Sequence, residues 1–221
     1  MRYSRMAFAM LAGCFWSQIA CAESFSQQGA GANDQAAICW GKHDEPLQLQ
    51  AEKCTESLNH GNWPPTDALL ILLHRASVYR RMGQVDHEMA DFDLAVAVAP
   101  RIGPTSVGRA YNARCFARAI SGEQLDQALS DCNAALAVRP EDADYLDSRC
   151  FVYYRMNNYA AAIGDCSAAI KNNPKESASL YVRGLAERRA GDAASGNADI
   201  AAAEAIDPKV ADTYAGYGVK P

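Results

Sequence analysis

Past its first twenty or so residues the 221-residue chain has no apolar run long enough for a bilayer-spanning helix, and its lysines and arginines never gather into a block. The first absence excludes a later transmembrane segment. The second, with 26 acidic against 21 basic residues, argues against nucleic acid or an anionic membrane surface as the main partner. Histidine is scarce as well. His43, His60, His74 and His87 all fall in the amino-terminal half, at spacings that make neither a zinc-ligand pair nor an HExxH motif, and they read as surface or turn residues. A Gly-x-Ser-x-Gly elbow, a phosphate-binding glycine loop and a dinucleotide fingerprint are missing too. Asp86, Glu88, Asp91 and Asp93 bunch carboxylates on one helix, yet such a run is usually a solvated face. The expectation is therefore no enzyme, no catalytic residue, no metal site and no cofactor.

What is present begins at the amino terminus. Arg2 and Arg5 precede an apolar run from Met6 to Trp16, followed by Ala20-Cys21-Ala22, so residues 1–22 read as an export signal cleaved after Ala22. Its loss would take the net charge from −5 to −7, because two arginines and no acid leave. A rival reading is a lipobox, Leu11-Ala12-Gly13-Cys14, with lipid attachment at Cys14. Cysteine parity and the short stretch before Leu11 favour soluble export: cleavage after Ala22 leaves six cysteines, whereas lipidation at Cys14 leaves Cys21 odd. The location expected is periplasmic or secreted. Residues 23–33, rich in Gln, Gly and Ser, read as a flexible linker.

Downstream, apolar residues keep helical spacing almost to the end, and the chain repeats itself. Arg114-Cys115-Phe116 returns as Arg149-Cys150-Phe151, and Asp131-Cys132-Asn133-Ala134-Ala135-Leu136 returns as Asp165-Cys166-Ser167-Ala168-Ala169-Ile170, at offsets of 35 and 34 residues. A period near 34 with a closing proline marks a helix-turn-helix solenoid. Four units follow this pattern, 67–100, 109–142, 143–176 and 177–210, closing at Pro100, Pro140, Pro174 and Pro208.

These units resemble the tetratricopeptide repeat (TPR) family over about two thirds of the chain. In that family a small residue on the first helix admits the second, and Ala76, Cys115, Cys150 and Gly184 stand there. Small residues that pack one helix against the next follow at Ala95, Ala135, Ala169 and Ala203. The resemblance implies an all-α, right-handed solenoid. Departures are Phe92, Cys132, Cys166 and Ile200 at a second-helix position that is often aromatic, a one-residue insertion near Ser121, and a long connection over 101–108. Residues 34–65, closed by Trp63-Pro64-Pro65, read as a degenerate cap, because Glu52-Lys53-Cys54 mimics the later second helices. Residues 211–221 are expected to lay a tail or short helix over the last unit, since repeat arrays need capped ends.

The cysteines can be paired by comparing units. Where the close-approach residue is Cys115 or Cys150 the opposing residue is Cys132 or Cys166; where it is Ala76 or Gly184 the opposing residue is Phe92 or Ile200. Two positions that change together fit a disulfide inside each hairpin, and Cys39 with Cys54 has similar spacing. Free buried thiols, or metal or redox chemistry, are the alternatives; no Cys-x-x-Cys spacing and no histidine beside these cysteines supports the latter. Each unit also carries an arginine, Arg75, Arg114, Arg149 or Arg183, with Asp91, Asp131, Asp165 or Asp199 following 16 or 17 residues later. An antiparallel hairpin would bring them together, so that an arginine fork meets a carboxylate within its unit or at its neighbour as a structural ladder, or the arginines would partly face the groove and meet an acidic ligand. The cap, with Ile38 and Lys53, lacks both members.

In TPR proteins first helices line a concave groove that holds an extended peptide or a helix. By register the resemblance assigns Leu73, Ser77 and Arg80, then Asn112, Phe116, Asp147, Phe151, Tyr154, Tyr181, Leu185 and Arg188, to that lining. No lysine is among them, so the carboxylate clamp of chaperone-binding relatives is absent. Phe116 and Phe151 either line the groove or pack between units. The function implied is a non-enzymatic scaffold or adaptor of the bacterial envelope that binds another protein; the alternative is an outer-membrane lipoprotein adaptor anchored through Cys14.

Overall fold

A computed structural model describes Cys39 and residues 45–219. The export signal, its cleavage point, Cys14, the linker and most of 34–44 lie outside the described residues, as do the last two positions. The described chain runs through ten helices and contains no strand: α1 Leu47–His60, α2 Pro65–Arg81, α3 Val85–Val98, α4 Pro104–Ser121, α5 Leu125–Val138, α6 Ala143–Arg155, α7 Tyr159–Asn172, α8 Ser177–Ala190, α9 Ala193–Ile206 and α10 Val210–Gly216.

Local chemistry sets the helix ends. Prolines occupy the first turns of α2 and α4, where a missing N–H costs nothing and φ is already helical. Asp142 caps α6 by accepting from the N–H groups of Asp144 and Tyr145, and Asn158 and Asp192 cap α7 and α9 in the same way. At the other end, Gly122 and Gly191 close α4 and α8 with φ of 74° and 100°, the left-handed region glycine enters without Cβ strain. The long connection expected over 101–108 is shorter than that. A 3₁₀ turn at Ala99–Arg101 and an early start at Pro104 leave only Ile102 and Gly103 between elements.

Pairs α2/α3, α4/α5, α6/α7 and α8/α9 are antiparallel hairpins stacked in sequence, with α1 against α2. First helices also touch first helices, α4 with α6 and α6 with α8, so they share one side of the solenoid. Small residues set the helix separation. A Cβ at Gly184 would lie 2.6 Å from the Gly196 carbonyl oxygen and one at Gly196 would lie 2.5 Å from that of Gly184, so α8 and α9 meet backbone to backbone. One core cluster extends from Cys115 through Phe151 and Tyr181 to Tyr214 and Val219, so the carboxyl-terminal segment belongs to the core of the last three units.

Candidate functional site: the concave groove

The six cysteines among the described residues join within hairpins: Cys39–Cys54, Cys115–Cys132 and Cys150–Cys166, with Cα atoms 4.8, 5.4 and 5.4 Å apart and all six fully buried. A histidine does stand beside one pair, contrary to expectation. His74, on α2, brings a ring nitrogen within 4.8 Å of both sulfurs of Cys39–Cys54, and burial pushes its pKa down. The sulfurs are bonded to each other, so they offer no thiolate to a metal. Sequence could not have placed His74 there, because the contact crosses from one unit to the next.

The charged ladder also spans units. Each arginine grips its own aspartate with two N–H groups: Arg75 on Asp91 at 2.8 and 2.5 Å, Arg114 on Asp131 at 2.9 and 2.7 Å, Arg149 on Asp165 at 2.6 and 3.0 Å, and Arg183 on Asp199 at 2.5 and 3.0 Å. The remaining Nη1 donates backwards into the preceding unit, to Thr55, Asp93, Asn133 and Ser167 in turn. Each acceptor lies two residues after the ladder position of its unit, Lys53, Asp91, Asp131 or Asp165. A carboxylate in the neighbouring unit, as the sequence allowed, is met only at Asp93; at Thr55, Asn133 and Ser167 nothing in the sequence signalled the rung, because its chemistry changes while its oxygen does not. On α9 the corresponding residue is Ala201, which cannot accept, and no fifth hairpin follows it among the described residues.

The residues assigned by register to the groove include the aromatics Phe116, Phe151, Tyr154 and Tyr181, and the two arginines assigned there, Arg80 and Arg188, stand outside the ladder. Phe116 on α4 and Phe151 on α6 have ring centroids 6.1 Å apart, and Arg80 reaches over from α2 to lie 5.9 Å from the Phe116 ring while pairing with Glu88. Phe151, Tyr154, Tyr181 and Leu185 are buried, Asn112 and Asp147 are part-buried, and Arg188 is exposed. Phe151 and Tyr181 are covered partly by their own repeats and partly by residues 210–219. Tyr214 on α10 packs edge-on against Phe151 and at a tilt against Tyr181, each with centroids 5.2 Å apart. Tyr217 meets Phe116 edge-on at 6.2 Å and Phe151 at 6.3 Å. Arg155, from α6, donates Nη1–H to the Tyr217 carbonyl oxygen at 3.0 Å, and Val219 is buried beyond it. The tail does more than cover the last unit: it crosses back to the second.

Two groups where the tail meets the repeats are electrostatically unusual. Ser179 donates to Asp147 at 2.5 Å, yet burial, aided by Glu176 and Asp144, pushes the Asp147 carboxyl up to about 7. Burial also raises the Tyr214 phenol well above its ordinary value, and nearby Asp147 adds to the shift. The Tyr181 hydroxyl and the Asn112 carbonyl oxygen are buried with no hydrogen-bond partner among the described residues. The tail fills this face with rings but does not satisfy those polar atoms.

No protein-family model matches the chain, and no curated protein matches it. Solved structures do. MamA from Desulfovibrio magneticus RS-1 superposes with a TM-score of 0.62 at 15% identity, covering 80% of this chain and 96% of that one. A thermophilic TPR protein of Thermus thermophilus gives 0.57 at 20% identity, covering 78% and 89%. The chain has the TPR fold: an all-α solenoid of helix-turn-helix repeats, here a disulfide-bonded variant. Among the described residues no helix is long and apolar enough to cross a membrane.

Proposed function

We propose that this TPR-fold solenoid is a non-enzymatic interaction scaffold of the bacterial cell envelope, periplasmic or secreted after cleavage behind Ala22, which holds a partner's peptide or helix in its concave groove. The observation that carries the reading is the aromatic face formed by Phe116, Phe151 and Tyr181, which holds α10 and the residue after it, Tyr217, by ring packing. Three buried disulfides support an exported location, because such bonds persist in oxidising compartments and are rare in the cytosol. The ladder carboxylates are held by arginines, which supports a structural role for them over acid-base chemistry.

A photo-crosslinking residue placed in the exported protein at Arg188 or Asn112, by the groove, tests the reading against one at Gln127 on the second helix of its unit. Adducts with a second protein are expected from the groove positions and not from Gln127. Equal labelling, or none from the groove, would remove the groove as the binding face. The lipobox at Cys14 favours an outer-membrane lipoprotein as the second reading. Mass spectrometry of the mature amino terminus decides between them: an unmodified start at Glu23 rules out the anchor.

A further inference from the structure

The groove's occupant carries information about what the groove accepts. We propose that residues 210–219 are an intramolecular stand-in for a partner segment. The groove recognises a short helix with one aromatic ring on it and a second three residues later, just past its end, whose backbone carbonyl is bound, and the tail must leave before such a partner binds. The proposal rests on the reading of the concave face as the binding face and adds the ligand's chemistry and a built-in competitor.

Four observations carry it. A cap has only to cover the open face of the last unit, yet Tyr217 reaches Phe116 two units earlier and its carbonyl is held by Arg155, 62 residues away in sequence. The tail also meets the groove through few residues. Val210, Tyr214 and Val219 are buried and Tyr217 is part-buried, while Asp212, Thr213, Ala215, Gly216 and Gly218 are exposed. Its attachment is short and exposed, Pro208-Lys209 after Asp207, so the segment can depart without unwinding α9. Finally, the fit is incomplete: Tyr214 covers Tyr181 while the Tyr181 hydroxyl is left buried with no partner among the described residues. A partner that offered an acceptor there would gain a hydrogen bond that the tail does not make. Tethering compensates for this imperfect fit, because a short linker holds the tail at an effective concentration on the order of millimolar, and a free segment must compete with that.

The test leaves every groove side chain in place. A protease site is inserted between Asp207 and Lys209 of the mature protein, and a fluorescein-labelled peptide with the sequence Lys209–Pro221 is titrated by anisotropy before and after cutting. Cutting is expected to tighten peptide binding about ten-fold or more, because the competing tail becomes dilutable. A control peptide carrying Tyr214→Ala and Tyr217→Ala is expected not to bind. Three results would overturn the proposal: a tail that stays bound and does not exchange after cutting, a cut solenoid that loses its helical circular dichroism, and a control peptide that binds as well as the native one. Failure here is distinguishable from failure of the scaffold reading. Peptide exchange without groove crosslinks leaves the stand-in and removes the partner; groove crosslinks without exchange do the reverse.

Discussion

Asp147 occupies a position where one proton matters. Its carboxyl, raised to about 7 by burial against an ordinary value of 3.8, binds a proton in the folded chain that the unfolded chain has already released. Below about pH 4 both states are protonated and the group has no net effect. As pH rises from there to about 7 the unfolded state gives up its proton first, so stability falls across that window and levels off above it. Asp147→Asn removes the penalty while keeping an acceptor for Ser179. Above about pH 7 the variant is expected to gain up to about 4 kcal/mol, and to match the native protein near pH 4. Urea titrations of both proteins across that range check this; parallel curves would show that Asp147 ionises freely. Asp147 was legible in the sequence as a groove position, but its enclosure was not, because Tyr214 approaches it from 67 positions further along the chain.

Among the elements, the hairpin is the unit that sequence described well. Repetition at a fixed offset exposed the cysteine pairs and the arginine-aspartate pairs, because antiparallel helices return a residue 16 or 17 positions later to the same level. The link between hairpins was legible only as a possible carboxylate partner, since Thr55, Asp93, Asn133 and Ser167 share only an oxygen at a common register. The two kinds of rung should differ in strength. Arg149→Ala removes both rungs at its level, leaving the part-buried Asp165 carboxylate without its two charged hydrogen bonds and Asn133 without its donor, and is expected to cost about 2 kcal/mol. Asn133→Ala removes only the bond between units, at about 0.5 to 1 kcal/mol. Denaturant midpoints of the two variants measure the order, and an Asn133 effect equal to that of Arg149 would make the link between hairpins the dominant rung.

The whole molecule is a line of hairpins held together by different devices. Two middle hairpins, α4/α5 and α6/α7, carry disulfides, whereas α8/α9 relies on the Gly184–Gly196 contact. In the chain-entropy account, closing loops of 15 to 17 residues contributes roughly 3 kcal/mol each. Reduction is therefore expected to lower the melting temperature and to speed amide exchange in α1 and α4–α7 more than in α8 and α9. Uniform acceleration along the chain would show that the bonds are not local staples. By itself the sequence determined the repeat, the hairpin, the cysteine pairing and the aromatic character of the first helices, because each depends on contacts within about 35 residues that recur at one spacing. Only the tertiary structure decided that His74 stands beside Cys39–Cys54, that arginines link neighbouring hairpins, and that the tail lies in the groove. Those contacts join segments that follow no shared period, and the path of the tail is fixed by where stacking places Phe116, Phe151 and Tyr181 relative to the end of α9.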